Sequence, residues 1–399
     1  MSKSFVTYWY CWLFSLLCYT YYKISSLSIT KFNLTKSIES GKQLLLEREQ
    51  KRNNDDNNKN NNNNNTASLS TRYLCFSYVR SDVYDLTHIL KNTRYLPCDW
   101  GLIFYDINNI TIKNELCNKS NYLPYQLIHC SMSSINATYL YEIRLKSYQD
   151  LENQNDKNDY NSSDSSSSNN YHNMNIKYNK FIPKNIMHID ILPYLYKYDK
   201  LITFDSDIDF KRFNFTKAMS IWDCGYDNIP PLIIQPNIYQ LNNGFSSHIE
   251  LSYQYWKEYT NDFHAKVLSF HTYFIEEQVP FYDTKYFEWY LINIYPLVLD
   301  IHAMYSSDWY FDVFQCHNAF LYGYYFINKK ILTACALLVT KDTTVIHWNA
   351  NSVDKKTFSK SYNNIKQYYK QIFDPIVNTD DNFPHGKIAY KSFTTKICN

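Results

Sequence analysis

The feature that most constrains the fold of this chain is a short apolar run that leads directly into a cluster of acidic residues. Residues 200–204, KLITF, have the composition of a buried β-strand, and Asp205, Asp207 and Asp209 follow at once. A longer strand would place the three carboxylates on one face. A strand that ends near Asp205 places them on a turn at the carboxyl edge of a sheet, where open α/β sheets bind ligands. We expect the second arrangement.

Asp205 and Asp207 are the first candidates for binding a metal. Two carboxylates at a sheet edge offer the hard oxygen ligands that Mn²⁺ and Mg²⁺ prefer, with water and diphosphate oxygens as the remaining ligands. Such an ion would neutralise the charge that develops on a departing nucleoside diphosphate. The alternative is a pair of solvated turn carboxylates, because an Asp-x-Asp motif also arises by chance among 38 acidic residues.

The surrounding sequence predicts an α/β domain. Residues 73–79 and 99–106 are β-rich, and the apolar spacing of residues 81–91 between them is helical, which indicates a parallel βαβ unit. Further strands are predicted at 126–130, 232–236, 336–339 and 344–347, and helices at 186–195, at 281–299 and from 355 onwards.

Three other positions are candidates for chemistry. Glu276 lies in a Glu pair before a proline and could activate an acceptor hydroxyl, or be a solvated corner. Asp308 is typical of a helix N-cap, and Asp312 follows one turn later among aromatic residues, where a raised pKa suits a general base. His347 ends a strand and could be a core histidine or a third metal ligand.

The N-terminal sequence predicts an anchored protein. Residues 5–22 form 18 consecutive uncharged residues, which we interpret as a signal-anchor helix behind a cytosolic tail at 1–4. A cleaved signal peptide and a buried aromatic helix are the alternatives. Residues 23–68 are expected to be an Asn-rich stem, and residues 69–399 a lumenal domain that carries a polar insert at 151–180.

Charge and cysteine content narrow the classes further. The formal net charge is +2, and no basic run interleaved with aromatics occurs, so the sequence predicts no nucleic-acid partner. Eight of the ten cysteines fall after residue 69, and none forms a CxxC pair. Structural zinc is therefore not expected, and either disulfides in an oxidising compartment or buried free thiols would fit.

The motifs also form an ordered pattern between about residues 72 and 355. This pattern resembles the eukaryotic family catalogued as domain of unknown function 707, also called lysine-ketoglutarate reductase trans-splicing-related proteins. The run YDKLITFDSDI matches the family's strand and Asp-Glu-Asp-Leu motif, with Ser206 in place of the central acid. The other matching pieces are Gln235-Pro236, Ile275-Glu276 with Pro280 and Tyr282, Trp309 with Asp312 and Cys316, Cys335-Ala336, and Val345 with His347.

The resemblance implies a Golgi-type glycosyltransferase of the GT-A fold, in which a mixed central sheet is flanked by helices. It implies a single-pass type II protein of the Golgi or endoplasmic reticulum membrane, attached by one N-terminal helix. The implied reaction moves a sugar from a nucleotide-sugar donor to a glycan or protein acceptor. Asp205 and Asp207 would bind the metal and donor, and His347 would be a further ligand. Asp312, and after it Glu276, would activate the acceptor. The chain departs from the family pattern at Tyr310 and Gln315.

Two rival functions stay open at this point. A non-catalytic carbohydrate-binding or scaffold protein could retain the fold and bind glycans without metal. A hydrolase could instead use Asp312 and Glu276 as an acid–base pair.

Overall fold

A computed structural model describes the folded part of the chain. The described residues are 43, 46–48, 50–51, 71–79, 83–104, 110–132, 187–225, 229–241, 267–272, 275–295, 298, 302, 311–327, 334–340, 342–348, 363–367, 369 and 392–394. The predicted anchor at 5–22 and the insert at 151–180 lie outside them. None of the helices in these ranges has the length and apolar character needed to span a bilayer.

The described strands form two sheets. Their bounds are β1 Tyr73–Val79, β2 Asp99–Phe104, β3 Leu127–Met132, β4 Lys200–Asp205, β5 Ile208–Asp209, β6 Ile233–Gln235, β7 Asn237–Gln240, β8 Val267–His271, β9 Phe281–Asp283, β10 Cys335–Leu338, β11 Thr344–His347 and β12 Ser392–Thr394. The large sheet has the order β12-β8-β10-β6-β9-β4-β1-β2-β3, and the small one β5-β11-β7. The mixed α/β class is thereby confirmed.

The predicted parallel unit is the centre of the large sheet. Strand β1 pairs in parallel with β2 on one side and with β4 on the other. Helix α1, Val83–Asn92, connects β1 to β2, as the spacing of its apolar residues predicted. The carboxyl ends of β1 and β4 therefore meet at one edge, where Tyr78 lies opposite Asp205.

The helices cover both faces of this sheet. The remaining α-helices are α2 Ile110–Leu116, α3 Phe215–Cys224, α4 Thr284–Asn293 and α5 Phe311–Phe326. Alternate residues of β1 enter different cores: Phe76 and Tyr78 pack towards α4 and α5, whereas Cys75 and Val79 pack with Trp222 of α3. The strand alternates in this way because successive side chains point to opposite faces of a sheet.

Two predicted helices differ from the structure. Residues 281–299 begin with β9, which pairs antiparallel with both β4 and β6, and α4 starts only after its N-cap Asp283. A strand of only three residues, two of them aromatic, has no periodicity that distinguishes it from the helix that follows. The helix predicted at 186–195 is a 3₁₀ helix at His188–Lys197 that contains Pro193, a residue that cannot donate a backbone hydrogen bond.

Three disulfides lie within the described residues: Cys75–Cys98, Cys117–Cys130 and Cys316–Cys335. Cys224 is also disulfide-bonded. For these seven cysteines the disulfide alternative is confirmed over the free-thiol one. The first bridge ties β1 to the residue before β2, and the third ties α5 to β10.

A short helical stretch of the predicted stem contacts the folded domain. Arg48 is buried, and its guanidinium donates to the backbone oxygens of Leu195 and Tyr198 at 2.6 and 2.8 Å. It also donates to Thr284 Oγ1 at 2.7 Å and forms an ion pair with Glu288 of α4. These partners lie beside the amino end of β4 and the start of α4, at the edge opposite Asp205.

Candidate active site

The small sheet brings His347 to the acidic turn. Strand β4 ends at Asp205, a turn carries Ser206 and Asp207, and β5 follows. Strand β11 pairs antiparallel with β5, and His347 lies opposite Ile208. The backbone N–H of Trp348 donates to the carbonyl of Asp207 at 3.2 Å, which extends this ladder. The pairing therefore holds His347 against Asp207 although 140 residues separate them.

Asp207 and His347 form a buried polar pair. His347 Nε2 lies 3.1 Å from Asp207 Oδ2, and both residues are more than nine-tenths buried. Burial alone would lower the pKa of His347. The hydrogen bond to Asp207 and the negative charges of Asp207, Asp205 and Glu276 outweigh burial and raise that pKa. Nδ1 of His347 is buried and has no hydrogen-bond partner among the described residues.

The segment that carries Glu276 lies along the same edge. The backbone N–H of Asp205 donates to the carbonyl of Gln278 at 2.9 Å, and that of Thr203 to the carbonyl of Pro280 at 3.1 Å. The N–H of Glu276 donates to the side chain of Gln235, the last residue of β6, at 2.9 Å. Two predicted motifs, Gln235-Pro236 and the Glu pair, thus meet at the carboxyl ends of β4 and β6.

The spacing of Asp207 and His347 fits a divalent ion. Two neighbouring ligands of an octahedral ion with bonds of about 2.1 Å lie about 3.0 Å apart, close to the 3.1 Å between these two atoms. Within the described ranges, no group of three or more His, Cys, Asp or Glu side chains has a metal-binding arrangement. Of the three predicted ligands, Asp207 and His347 are in contact. Asp205 is not part of that contact, but its negative charge acts on His347.

An aromatic pair lies next to the acidic turn. The ring of His88, from α1, stacks on the indole of Trp348 with centroids 5.1 Å apart and planes 22° apart. His88 Nδ1 lies 3.9 Å from Asp209 Oδ2. Burial lowers the pKa of His88, partly offset by the charge of Asp209. Trp348 itself is exposed.

A second histidine, His188, lies close to both Tyr78 and Glu277. His188 Nδ1 contacts the hydroxyl of Tyr78, and its Nε2 lies 3.5 Å from Glu277 Oε2. Its ring stacks on Phe311, the first residue of α5, with centroids 5.7 Å apart. Asp312, the predicted acceptor base, is the next residue of that helix. The start of α5 is therefore close to the Glu277 segment, while Asp308 lies outside the described residues.

Gln315 of α5 has a buried hydrogen-bond partner in β9. Gln315 Oε1 accepts a hydrogen bond of 2.8 Å from the hydroxyl of Tyr282, and both side chains are buried. A buried hydroxyl needs a partner, and the glutamine side chain accepts its hydrogen bond.

Sequence reasoning did not single out His88, His188 or Trp348, and it named Glu277 only as the second member of the Glu pair. The two histidines carry no local signal, since each lies within a helix and only the folded sheet brings it to a carboxylate. Trp348 could have been noticed, because it directly follows the predicted ligand His347.

Comparison with known proteins adds no relative. No family model and no curated protein matches this chain.

Proposed function

We propose that this chain is a metal-dependent glycosyltransferase that uses a nucleotide-sugar donor, and that its domain has the GT-A arrangement. The observation that carries the proposal is the Asp207–His347 pair at the carboxyl end of β4, at the spacing of two ligands on one ion. The disulfides add support, because they form in the oxidising compartments where such enzymes work. The predicted Golgi or endoplasmic reticulum location belongs to the same proposal.

In this proposal Asp207 and His347 hold Mn²⁺ or Mg²⁺ through Oδ2 and Nε2. When bound, the ion neutralises the charge that develops on the departing diphosphate. His347 must release its Nε2 proton to act as a ligand, since a metal binds the neutral imidazole. Its raised pKa means that Asp207 holds that proton in place until then. Asp205, two residues before Asp207, adds negative charge that favours a cation at this edge.

We assign the activation of the acceptor hydroxyl to one of two carboxylates, Asp312 or Glu276. A base must take the proton of the attacking hydroxyl as the new glycosidic bond forms. Glu276 is buried, and its backbone is held by Gln235 at the edge that carries Asp207. Asp312 follows Phe311 in the first turn of α5, and it is the ring of Phe311 that stacks on His188. Asp312 is the first candidate for the base and Glu276 the second.

The experiment is equilibrium binding of a nucleotide-sugar panel to the full chain, with Mn²⁺ and with EDTA. Saturable binding that requires Mn²⁺ and is lost in Asp207→Asn is the expected result. The matched control is Asp342→Asn, which removes an exposed carboxylate that pairs with Lys217. Binding that survives in EDTA or in Asp207→Asn would contradict the metal role. Glycan binding without any nucleotide binding would instead favour the non-catalytic alternative.

A further inference from the structure

The exposed indole of Trp348 sets it apart from the other aromatic residues. The large sheet buries Trp100, Trp222 and Trp289 completely. Trp348 keeps 40% of its surface exposed, and no other aromatic side chain that the structure describes is as exposed. A single exposed apolar residue needs no explanation by its exposure alone. Its position beside Asp207 and Asp209 is what makes it informative.

The indole is held as a rigid surface. Its backbone N–H is fixed to the carbonyl of Asp207. His88 stacks at 22° against the ring, and His88 itself is largely buried. One face of the indole is therefore backed by protein, and its exposed surface belongs to the remainder of the ring. An aromatic side chain fixed in this way loses little conformational entropy when a ligand packs on it.

The neighbouring groups indicate what would pack there. Asp209 Oδ2 lies 3.9 Å from Nδ1 of His88, and Asp207 directly precedes β5. Carboxylates accept hydrogen bonds, so they suit a ligand whose edge carries hydroxyl donors. Asp209, which holds no metal in the proposed function, repels phosphate groups and other anions. A pyranose ring has both required features: a face of C–H groups that packs on an aromatic ring, and hydroxyls around its edge.

We propose that Trp348, backed by His88, is the platform on which a neutral sugar ring of the acceptor packs, so that the acceptor is a glycan. This inference rests on the proposed function and narrows it, since a protein hydroxyl would offer no such ring. Trp348 is then a substrate-binding residue at the rim of the site, and His88 a positioning residue that acts through Trp348. Asp209, whose Oδ2 lies near the His88 ring, is the candidate acceptor for the hydroxyls of the bound ring.

The test is ligand-observed saturation-transfer NMR on the full chain in EDTA without nucleotide. The probes are methyl β-D-glucoside, methyl β-D-galactoside, methyl α-D-mannoside and the disaccharides lactose, cellobiose and maltose. We expect transfer to the C–H protons of one ring face for at least one probe. Trp348→Ala should weaken that binding by about 10-fold or more, which corresponds to about 1.4 kcal/mol. Trp348→Phe, which keeps an aromatic face, should retain most of it.

The matched control is Ile327→Ala, which removes an equally exposed apolar side chain, 42%, at the end of α5. It should bind the probes as the unchanged protein does, and thermal unfolding checks that every variant is folded. Absence of transfer from all six probes, or equal affinity in Trp348→Ala, overturns the inference. A separate titration with UDP gives a further test. UDP binding that depends on Trp348, with no sugar binding that depends on it, would also overturn the inference, because the ring would then bind a nucleobase. Sugar binding through Trp348 without Mn²⁺-dependent donor binding would uphold the platform and overturn the transferase.

Discussion

The two ends of β4 each carry a buried charge pair, and they differ in how that pair is surrounded. At the amino end, carbonyl, hydroxyl and carboxylate oxygens accept hydrogen bonds from both Nη atoms of Arg48, while its Nε has no hydrogen-bond partner among the described residues. At the carboxyl end, the charges of Asp207, Asp205 and Glu276 all act on one histidine. His347 Nδ1 has no hydrogen-bond partner among the described residues.

The difference separates a structural pair from a candidate site. A buried cation that faces a carboxylate and several other acceptors has its charge offset by the fold itself, so it stabilises one conformation. Several carboxylates around one imidazole leave negative charge that an added cation would offset. The comparison assigns stability to the amino end of β4 and ligand binding to the carboxyl end, and variants at the two ends should separate these effects.

The largest expected effect is on stability, at the amino end. Arg48→Met leaves Glu288 buried without its partner, and breaking a buried pair in this way costs about 3–5 kcal/mol. Urea unfolding in EDTA measures the loss. Glu47→Gln, an exposed change on the same helical stretch, should stay within about 0.5 kcal/mol of the unchanged protein. A loss below about 1 kcal/mol in Arg48→Met would mean that residues 43–51 are only a spacer.

The next effect is on binding, at the carboxyl end. Asp207→Asn keeps the size of the side chain but removes the charge that a metal needs. We expect Mn²⁺ affinity to fall at least about 100-fold, with a smaller change in the free energy of unfolding than in Arg48→Met. Calorimetric titration of Mn²⁺ and urea unfolding of the same sample separate the two quantities. Unchanged Mn²⁺ affinity, or unfolding as severe as that of Arg48→Met, would make the carboxyl end a second structural pair.

A smaller effect should follow pH in the absence of metal. The pKa of His347 is raised above its ordinary value of 6.5 in the folded state. Its pair with Asp207 therefore contributes stability that is fully present below about pH 6.5 and is lost as the pH rises through the raised folded value. His347→Gln should be less stable than the unchanged protein at pH 6, and the gap should narrow with rising pH. A gap that is constant with pH would show that folding leaves the pKa of His347 unchanged, and a gap that widens with rising pH would show that folding lowers it.

The smallest effect is expected at a surface pair near β11. Lys217 Nζ lies 2.6 Å from Asp342 Oδ2, and both side chains are exposed. Such pairs contribute less than about 1 kcal/mol because water screens them. Lys217→Met should change the free energy of unfolding by no more than that, and less in high salt. A loss of stability comparable to that of Arg48→Met would mean that burial does not decide how much an ion pair contributes to the free energy of unfolding.

The sequence predicted the strands well where they are long or fully buried. The predicted bounds of β1 and β11 coincide with the structure, because β-branched and aromatic residues are enriched in buried strands. Strand β9 was missed since it has only three residues, Phe281–Asp283, which are too few to show a period of two before the helix. Strand β5 was missed for the same reason, and it is the strand that joins the acidic turn to β11.

The site was predicted in its residue types more than in its geometry. Asp207 and His347 were both named as ligands, but only the β5–β11 pairing brings them into contact. His88 and Arg48 could not have been found, because their partners are distant in sequence and no local pattern marks them. The side-chain placement of Asp312 lies outside the described residues, so its role stays a prediction.

The most direct test of the central claim is pulsed EPR of Mn²⁺ bound to the full chain. If Asp207 and His347 hold the ion, the spectrum of the unchanged protein should contain a coupling to an imidazole nitrogen. That coupling should vanish in His347→Gln while weaker Mn²⁺ binding through Asp207 persists. Bound Mn²⁺ without nitrogen coupling in the unchanged protein, or no Mn²⁺ binding by the folded chain, would contradict the account.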